Sequence, residues 1–322
     1  MQEISFSGKI KEELAKHWSD ARHCQIAELT AIISLCGRVT IDSRERYGIK
    51  VKTENVSVAR KYFTLLEKTF NIKTETFVSR NSSKETVSYT VTIKKHEDAM
   101  KVLQAAKLVD EYGEITEEFS MVKNLIIKNS CCKRAFLRGA FLASGSISNP
   151  EKSYHIEIVC SGSKKAEQIK TIINSFGLDA KVIIRKKSHV VYLKEASQIV
   201  DMLNVMEATN ALMNMENIRI LKEMRNTVNR KVNCETANLN KTVSAAVKQL
   251  EDIRYIQERI GLKKLPEGLL EMAEVRLEYP NASLKELGDL LSVPIGKSGV
   301  NHRLRKLSEI ADKLRDNKEE LL

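Results

Sequence analysis

The feature that most constrains the fold is an internal repeat within the first 210 residues. Two apolar segments rich in small residues, CQIAELTAIISLCG and CKRAFLRGAFLASG, end at Gly37 and Gly145, which are 108 residues apart. Glycine commonly follows the last residue of a helix, so each segment is predicted to be a helix that ends there. The order of elements after each glycine is the same, which predicts two copies of an α-β-β-α-β-β-α unit.

Hydrophobic spacing and turn residues predict the same elements in both copies. In the first copy, two extended segments at 39–55 precede a helix at 56–70, strands at 72–80 and 86–94 around the turn NSSK, and a helix at 97–108. In the second copy, a hairpin with Asn149 and Pro150 in its turn precedes a helix at 163–176 capped by Ser163, a hairpin turning at Lys186, Lys187 and Ser188, and a helix at 195–206. The copies span about 1–112 and 120–210.

The small side chains on the two repeated helices would allow these helices to pack closely against each other. Helices can pack backbone to backbone only where the facing residues are small, as at Ala31 and Gly139. A pseudo-two-fold axis between them would place the hairpins of both copies in one β-saddle. Paired β-strands fit the major groove of duplex DNA, so the predicted α+β domain is suited to bind it.

The two helices resemble the LAGLIDADG motif of homing endonucleases. The matching residues are Leu29, Ala31 and Gly37 in the first copy and Leu137, Gly139, Ala143 and Gly145 in the second. The resemblance implies that the residue before each final glycine would be a metal-binding acid, but Cys36 and Ser144 stand there. Because Mg²⁺ requires hard, anionic oxygen ligands, we predict a protein that is not an enzyme and has no catalytic residue or cofactor.

The C-terminal part of the chain predicts an all-α helix-turn-helix domain. The asparagine-rich segment VNCETANLN indicates a loose linker at 223–240, between a domain at 1–222 and a domain at 241–322. Helices are predicted at 243–260 and 269–279. Ser283 and Glu286 then predict a capping box, and Gly288 is the small residue that lets the next helix cross closely.

The last helix has the pattern of a recognition helix. Ser298 is its predicted N-cap, and Val300, Leu304 and Leu307 are predicted to face the core. Asparagine and arginine side chains can read base edges through paired hydrogen bonds. The predicted DNA-binding residues are Lys297, Ser298, Asn301, His302, Arg303 and Arg305.

Charge is distributed unevenly along this basic chain. The formal net charge is +11, and residues 121–194 alone hold 14 basic and 4 acidic residues. There is no Asp or Glu between Phe119 and Pro150. A basic surplus of this kind indicates a phosphate-facing surface on the second copy. The predicted phosphate contacts are Lys152, Arg185, Lys186 and Lys187.

The six cysteines form no C-x-x-C pair, and the adjacent Cys131 and Cys132 are poorly arranged to share one tetrahedral metal. We therefore expect them to be buried, reduced residues and predict no metal site.

The segment after Met1 does not resemble a signal peptide, and no apolar run reaches the roughly 20 residues that cross a bilayer. These features predict a cytoplasmic, nucleoid-associated protein without membrane partners.

Longer runs throughout the chain resemble the WhiA-type sporulation and cell-division regulators of Gram-positive bacteria. They are SFSGKIKEEL, LRGAFLASGSI, VNCETANLNKTVSAA, LPEGLLEMAEVRLEYPNASLKELG and GKSGVNHRL. The resemblance implies a two-lobed protein without nuclease activity. It also implies a role in transcription at developmental or division genes, or in chromosome segregation, and leaves the choice between sporulation and division open.

Three functional hypotheses follow. The leading one is a non-enzymatic, sequence-specific transcriptional regulator whose partner is double-stranded DNA. The alternative is a protein-interaction module that binds a sigma factor or another regulator through the nuclease-like domain, with only the helix-turn-helix on DNA. The third, an active endonuclease, predicts Mg²⁺-dependent DNA cleavage.

Overall fold

The structure is a computed structural model, and it describes residues 4–81, 86–109 and 125–319. Most of the predicted NSSK turn and the beginning of the acid-free segment after Phe119 lie outside these residues. The chain divides into two compact units, Met1–Lys222 and Glu223–Leu322.

The predicted α-β-β-α-β-β-α order is confirmed in both copies of the repeat. After a first helix, α1 (Phe6–Lys16), the first copy contains α2 (Arg22–Cys36), β1 (Gly37–Ile41), β2 (Tyr47–Thr53), α3 (Val56–Phe70), β3 (Glu75–Asn81), β4 (Thr86–Ile93) and α4 (His96–Ala105). The second copy contains α5 (Ser130–Ser144), β5 (Gly145–Ile147), β6 (Ile156–Cys160), α6 (Ser163–Asn174), β7 (Lys181–Arg185), β8 (Ser188–Leu193) and α7 (Ala196–Val205).

Each copy forms a four-stranded antiparallel sheet with the same topology. The strand orders are β1-β2-β4-β3 and β5-β6-β8-β7. The registers also correspond, because Gly37 pairs with Val51 in one sheet and Gly145 pairs with Ile158 in the other. Side chains alternate between the two faces of a strand, so one face of each sheet is buried and the other, the outward sheet face, carries the intervening residues.

The helices α2 and α5 pack backbone against backbone, as the small residues predict. A Cβ atom added at Gly139 would lie 2.3 Å from the carbonyl oxygen of Glu28 and 3.0 Å from the Cβ of Ala31. No real side chain tolerates the first distance, so only glycine permits this approach. The hydrophobic core of the second copy therefore continues across α5 to residues of α1 and α2, including Leu14 and Ala27.

A buried ion network lies beside this contact. The carboxylate of Glu28 is 3.3 Å from Lys61 Nζ and 3.5 Å from Arg138 Nε, and all three side chains are about 1% exposed. Arg138 also donates to Ser19 Oγ at 2.9 Å and forms an ion pair with Glu207. Burial raises the pKa of Glu28 and lowers that of Lys61, while their mutual attraction opposes both shifts. Removing one member of such a network leaves a buried charge unpaired, which is strongly destabilising.

The glycines that end the two repeated helices are needed for space rather than for a left-handed conformation. Gly37 and Gly145 have φ values of −86° and −80°, and each begins a strand. A Cβ atom at either position would lie 2.4 Å from an atom of the preceding turn, Ile33 O or Phe141 Cδ2 respectively. The chain therefore turns directly from helix into strand without the αL residue that commonly ends a helix.

Two local predictions for this unit are wrong. Ser163 is the first residue of α6 rather than its cap, and Gly162, which has no side chain to accept a hydrogen bond, takes the cap position. The cysteines are not uniformly buried either, since Cys131 is exposed here and Cys234 is exposed in the second unit.

The prediction of a loose linker at 223–240 is also wrong. These residues lie inside α8, a continuous helix from Thr209 to Arg259. This sequence contains neither glycine nor proline, the two residues that most strongly disfavour a helix interior. Thr227 and Thr242 satisfy their hydroxyl groups within the helix by donating to the carbonyls of Glu223 and Asn238, both at 2.9 Å.

After α8, the second unit consists of short helices around a separate core. They are a 3₁₀ turn (Leu262–Lys264), α9 (Glu267–Glu278), α10 (Leu284–Asp289) and α11 (Lys297–Glu319). The predicted core residues Val300, Leu304 and Leu307 are all buried, together with Leu287 of α10 and with Ile253 and Ile256 of α8.

The close approach at Gly139 generates a stability prediction. We expect Gly139→Ala to lower the free energy of unfolding by about 1–3 kcal/mol, because the new Cβ meets backbone that cannot move aside. Urea unfolding followed by the fluorescence of Trp18, the single tryptophan, measures this in the first unit.

Gly8→Ala is the matched control. Its Cβ meets the side chain of Ile4, which is 49% exposed and free to rotate away. Equal destabilisation by both substitutions would show that the α2–α5 contact is not as tight as the structure has it.

Candidate DNA-binding surfaces and the vestigial nuclease site

The last residues of α2 and α5 occupy the positions at which the nuclease motif has its acids. Cys36 Sγ donates to the carbonyl of Ile32 at 3.2 Å, within its own helix. Ser144 Oγ is buried and finds no hydrogen-bond partner among the described residues. Burial raises the pKa of the Cys36 thiol to about 12, so the group is neutral near pH 7.

Two lysines are the charged groups that act on Cys36. Lys165 of α6 is 4% exposed and reaches across to donate to the carbonyl of Ser34. Lys11 of α1 is the second, and burial lowers the pKa of both lysines. A divalent cation prefers anionic oxygen ligands, whereas this site presents a thiol, a hydroxyl and two amines. The residues present therefore do not fit a nuclease metal.

The helix-turn-helix is formed by α10, the turn 290–296 and α11. The predicted capping box is confirmed: Ser283 N donates to Glu286 Oε2 at 2.7 Å, and Glu286 N donates to Ser283 Oγ at 3.4 Å. The prediction for Gly288 is also confirmed, since a Cβ there would lie 2.2 Å from Ile295 O and 3.1 Å from Val300 Cγ2. These contacts fix the start of α11 against α10.

The helix α11 begins earlier than predicted. It starts at Lys297, and the amide of Val300 donates to the carbonyl of Gly296 at 3.2 Å, so Ser298 lies in the first turn and is not the N-cap. Five of the predicted residues are nevertheless exposed along one side of the helix: Lys297, Ser298, Asn301, His302 and Arg305. We call these five residues, with the exposed Lys306 next to them, the α11 face. Lys306 was missed, although it lies four residues beyond His302 and therefore on the same side.

Arg303 does not face outward as predicted. Its guanidinium donates to the carbonyl of Gly268 at 3.2 Å and lies 3.9 Å from Glu271 Oε2, and its side chain is only 28% exposed. Glu271 also accepts a hydrogen bond from the amide of Ser292, which lowers the pKa of its carboxyl. Arg303 therefore ties α11 to α9 within the unit.

The predicted phosphate contacts of the second copy differ in their availability. Lys186 and Lys187 form the exposed two-residue turn between β7 and β8, and Lys152 is exposed in the turn between β5 and β6. Arg185 is engaged instead, because its guanidinium donates to Glu157 Oε1 at 2.8 Å. Glu157 also contacts Ser146 and His155, so a carboxylate lies at the centre of this outward sheet face.

The first copy carries basic residues that the charge analysis missed. Arg38, Lys50 and Lys52 are exposed on its outward sheet face, where Arg38 pairs with Lys50 across β1 and β2. The register places Glu157 of the second copy at the position of Lys50. In contrast, Arg138 and Lys165, which belong to the basic stretch of the second copy, are buried. The surplus along the sequence is therefore a poor guide to the charge on the surface.

Three family models match the chain, one to each part of this architecture. The WhiA N-terminal LAGLIDADG-like domain matches residues 22–109, and the WhiA LAGLIDADG-like domain matches residues 133–225. The WhiA C-terminal helix-turn-helix domain matches residues 228–311. The chain belongs to the WhiA family.

Similar proteins extend over nearly the whole chain. A probable cell division protein WhiA of Lachnoclostridium phytofermentans is 53% identical over 97% of this chain and 100% of its own length. Another, of Alkaliphilus oremlandii, is 48% identical over 98% of this chain and 99% of its own length. The crystal structure of full-length WhiA from Thermotoga maritima is 26% identical, covers 96% of this chain and 98% of its own, and has a TM-score of 0.58.

These comparisons agree with the predicted fold class and family. A helix-turn-helix domain suggests DNA binding, and neither the domain descriptions nor the names of the relatives indicate an enzymatic activity. Among the helices that the structure describes, none combines the length and the apolarity needed to cross a membrane.

Proposed function

We propose that this WhiA-family chain is a non-enzymatic, sequence-specific DNA-binding protein that regulates transcription, with double-stranded DNA as its partner. The α11 face carries this proposal. At a rise of about 1.5 Å per residue, the face from Lys297 to Lys306 is about 14 Å long, close to the roughly 12 Å width of the major groove.

The side chains of this face have suitable chemistry for each part of such a contact. The amide of Asn301 can make two hydrogen bonds to adenine, and the guanidinium of Arg305 can make two to guanine. Arg305 lies 3.4 Å from Glu309, but its side chain is 80% exposed, so this ion pair is weak and easily exchanged for a base. Lys297 and Ser298 at the start of the helix are placed for phosphate, which the positive end of the helix also attracts.

The outward sheet face of the first copy and the turns between strands of the second copy would supply contacts to the DNA backbone. We assign these contacts to Lys50 and Lys52 of the first copy and to Lys152, Lys186 and Lys187 of the second. Two weak binding surfaces on one chain raise each other's local concentration on DNA, so that together they bind usefully. In this proposal α11 selects the sequence and the sheets add affinity.

The regulated genes are, in this proposal, those of cell division, because the relatives are named probable cell division proteins. If the role is instead in sporulation or chromosome segregation, the same DNA-binding activity would act at other loci. Mapping of bound sites across the genome, in the parent and in a variant with an altered α11 face, tests the assignment. The proposal also places the protein on the nucleoid, where a fluorescent fusion would be seen.

A second candidate function is the binding of a sigma factor or another regulator through the nuclease-like unit. The edge strands favour it, because Phe77 and Val78 on β3 and Ile183 and Ile184 on β7 are between 52% and 67% exposed. Apolar side chains on a free strand edge suit the addition of a strand from a protein partner. Loss of sigma-factor binding in Ile183→Ser and Ile184→Ser, with DNA affinity unchanged, would favour this function.

The α11 face generates a specificity prediction. We expect Asn301→Ala and Arg305→Ala each to lose about 1–3 kcal/mol of discrimination between the selected site and altered sites, or roughly five- to 150-fold. Competition binding with a site selected from random duplexes measures this. Lys313→Ala, an exposed lysine of α11 beyond the face, is the charge-matched control, and an equal loss in the control would contradict the role of the face.

The outward sheet faces generate a salt prediction. We expect Lys50→Ala with Lys52→Ala, and separately Lys186→Ala with Lys187→Ala, to weaken binding to every sequence. Each lost phosphate contact should reduce the slope of log K against log salt by about 0.9. Lys101→Ala with Lys170→Ala is the control, because both lysines lie on helices, α4 and α6. Unchanged slopes in both test variants would exclude the sheets from the DNA interface.

The vestigial site generates a prediction about cleavage. We expect the full-length protein to leave supercoiled plasmid intact in Mg²⁺ or Mn²⁺, because Cys36 and Ser144 offer no carboxylate to a divalent cation. Nicking that copurifies with the parent protein and disappears in Cys36→Ala would overturn the non-enzymatic assignment.

A further inference from the structure

Four metal-ligating side chains meet at the N-terminal ends of α2 and α5. His23 and Cys24 lie in the first turn of α2, and Cys131 and Cys132 lie in the first turn of α5. One ring nitrogen of His23 and the three Sγ atoms all lie within 4.8 Å of one another. The cluster shares no residue with the α11 face or with the vestigial nuclease site.

The cluster follows the pseudo-symmetry of the repeat. His23 corresponds to Cys131, and Cys24 corresponds to Cys132, with the same separation of 108 residues that relates Gly37 to Gly145. Two residues from each copy therefore face each other because α2 and α5 pack so closely. The sequence contains no C-x-x-C signal for this site, since each helix supplies an adjacent pair.

The distances between these atoms are close to those of a tetrahedral zinc site. His23 Nδ1 is 3.1 Å from Cys132 Sγ and 3.3 Å from Cys24 Sγ. With Zn–S bonds of about 2.3 Å and Zn–N bonds of about 2.0 Å, neighbouring ligand atoms in a tetrahedral site lie roughly 3.5–3.8 Å apart. Small rotations of the side chains would therefore give the required spacing.

We propose that His23, Cys24, Cys131 and Cys132 bind one zinc ion in a Cys₃His site that joins the two copies of the repeat. Four protein ligands complete a tetrahedral shell, and a closed shell of this kind is typical of structural rather than catalytic zinc. The ion would hold the N-terminal ends of α2 and α5 together, beyond the contact that Gly139 makes farther along these helices.

The helix ends around this cluster favour the thiolate form of the cysteine ligands. The cap residues Ala21 and Asn129 make no side-chain hydrogen bond to their helices within the described part of the chain. Two positive helix ends therefore remain available to stabilise the thiolates of the bound state.

The four residues differ in exposure, so an ion could enter the cluster from the solvent side. Cys24 and Cys132 are buried in the core of the first unit, whereas His23 and Cys131 are exposed. The inner pair would fix the position of the ion and the outer pair would close over it from solvent. This division also makes Cys131 the safer position to substitute, since its side chain contributes little to the core.

The test uses the full-length protein, purified anaerobically with a reductant and without chelators. We expect one zinc ion per chain by elemental mass spectrometry. After zinc is removed, titration with Co²⁺ alone should give the d–d bands of tetrahedral cobalt and the charge-transfer bands of thiolate ligands. Cys131→Ser should weaken the thiolate bands, and Cys24→Ser with Cys132→Ser should abolish stoichiometric binding.

Two substitutions serve as controls. Cys160→Ser removes a buried thiol and Cys234→Ser an exposed one, both outside the cluster, and both variants should keep a full complement of zinc. Circular dichroism of each variant separates loss of metal from loss of fold. The proposal is overturned if the reduced parent binds neither zinc nor cobalt stoichiometrically, if Cys131→Ser leaves the thiolate bands unchanged, or if the four residues form only a disulfide between Cys24 and Cys132.

Discussion

The backbone contact between α2 and α5 at Gly139 is the constraint on which the rest of the first unit depends. Because no side chain separates the helices there, the core of the second copy reaches residues of the first, and Glu28 meets both Lys61 and Arg138 out of water. A buried charge is tolerable only when its partners are held in place, and the packed helices hold them. The same approach juxtaposes the N-terminal ends of α2 and α5, where the proposed zinc ligands lie.

The two copies of the repeat share one architecture, but their sheets differ in charge. Corresponding positions on the outward faces carry Lys50 in one copy and Glu157 in the other, and Glu157 in turn engages Arg185. The centre of one sheet is thus cationic and that of the other is internally neutralised. At the ends of the repeated helices, Cys36 and Ser144 replace acids and Lys165 approaches, which removes the ligands that a nuclease metal needs.

Much of the fold was predictable because the relevant forces act locally. Helix and strand periodicity located α3 at Val56–Phe70 to the residue, and the capping box of Ser283 and Glu286 was recognisable from spacing alone. The predictions failed in two situations. In one, a polar segment continues a helix, and in the other, tertiary contacts determine where a side chain points. The polar segment 223–240 is helical, and it contains neither glycine nor proline to interrupt the helix. Arg303 is withdrawn from the α11 face because Gly268 and Glu271 of another helix offer it partners.

The sequence by itself determined the duplication, the alternation of elements, the absence of acids from the motif positions and the register of the α11 face, since each depends on residue type and spacing. Only the tertiary structure decided which charges reach the surface, because burial of Arg138 and Lys165 depends on elements far away in the chain. It alone brought His23 and Cys24 to Cys131 and Cys132. These residues lie 108 positions apart in the chain and become neighbours because α2 and α5 pack closely, and the sequence alone does not give the distance between the two helices.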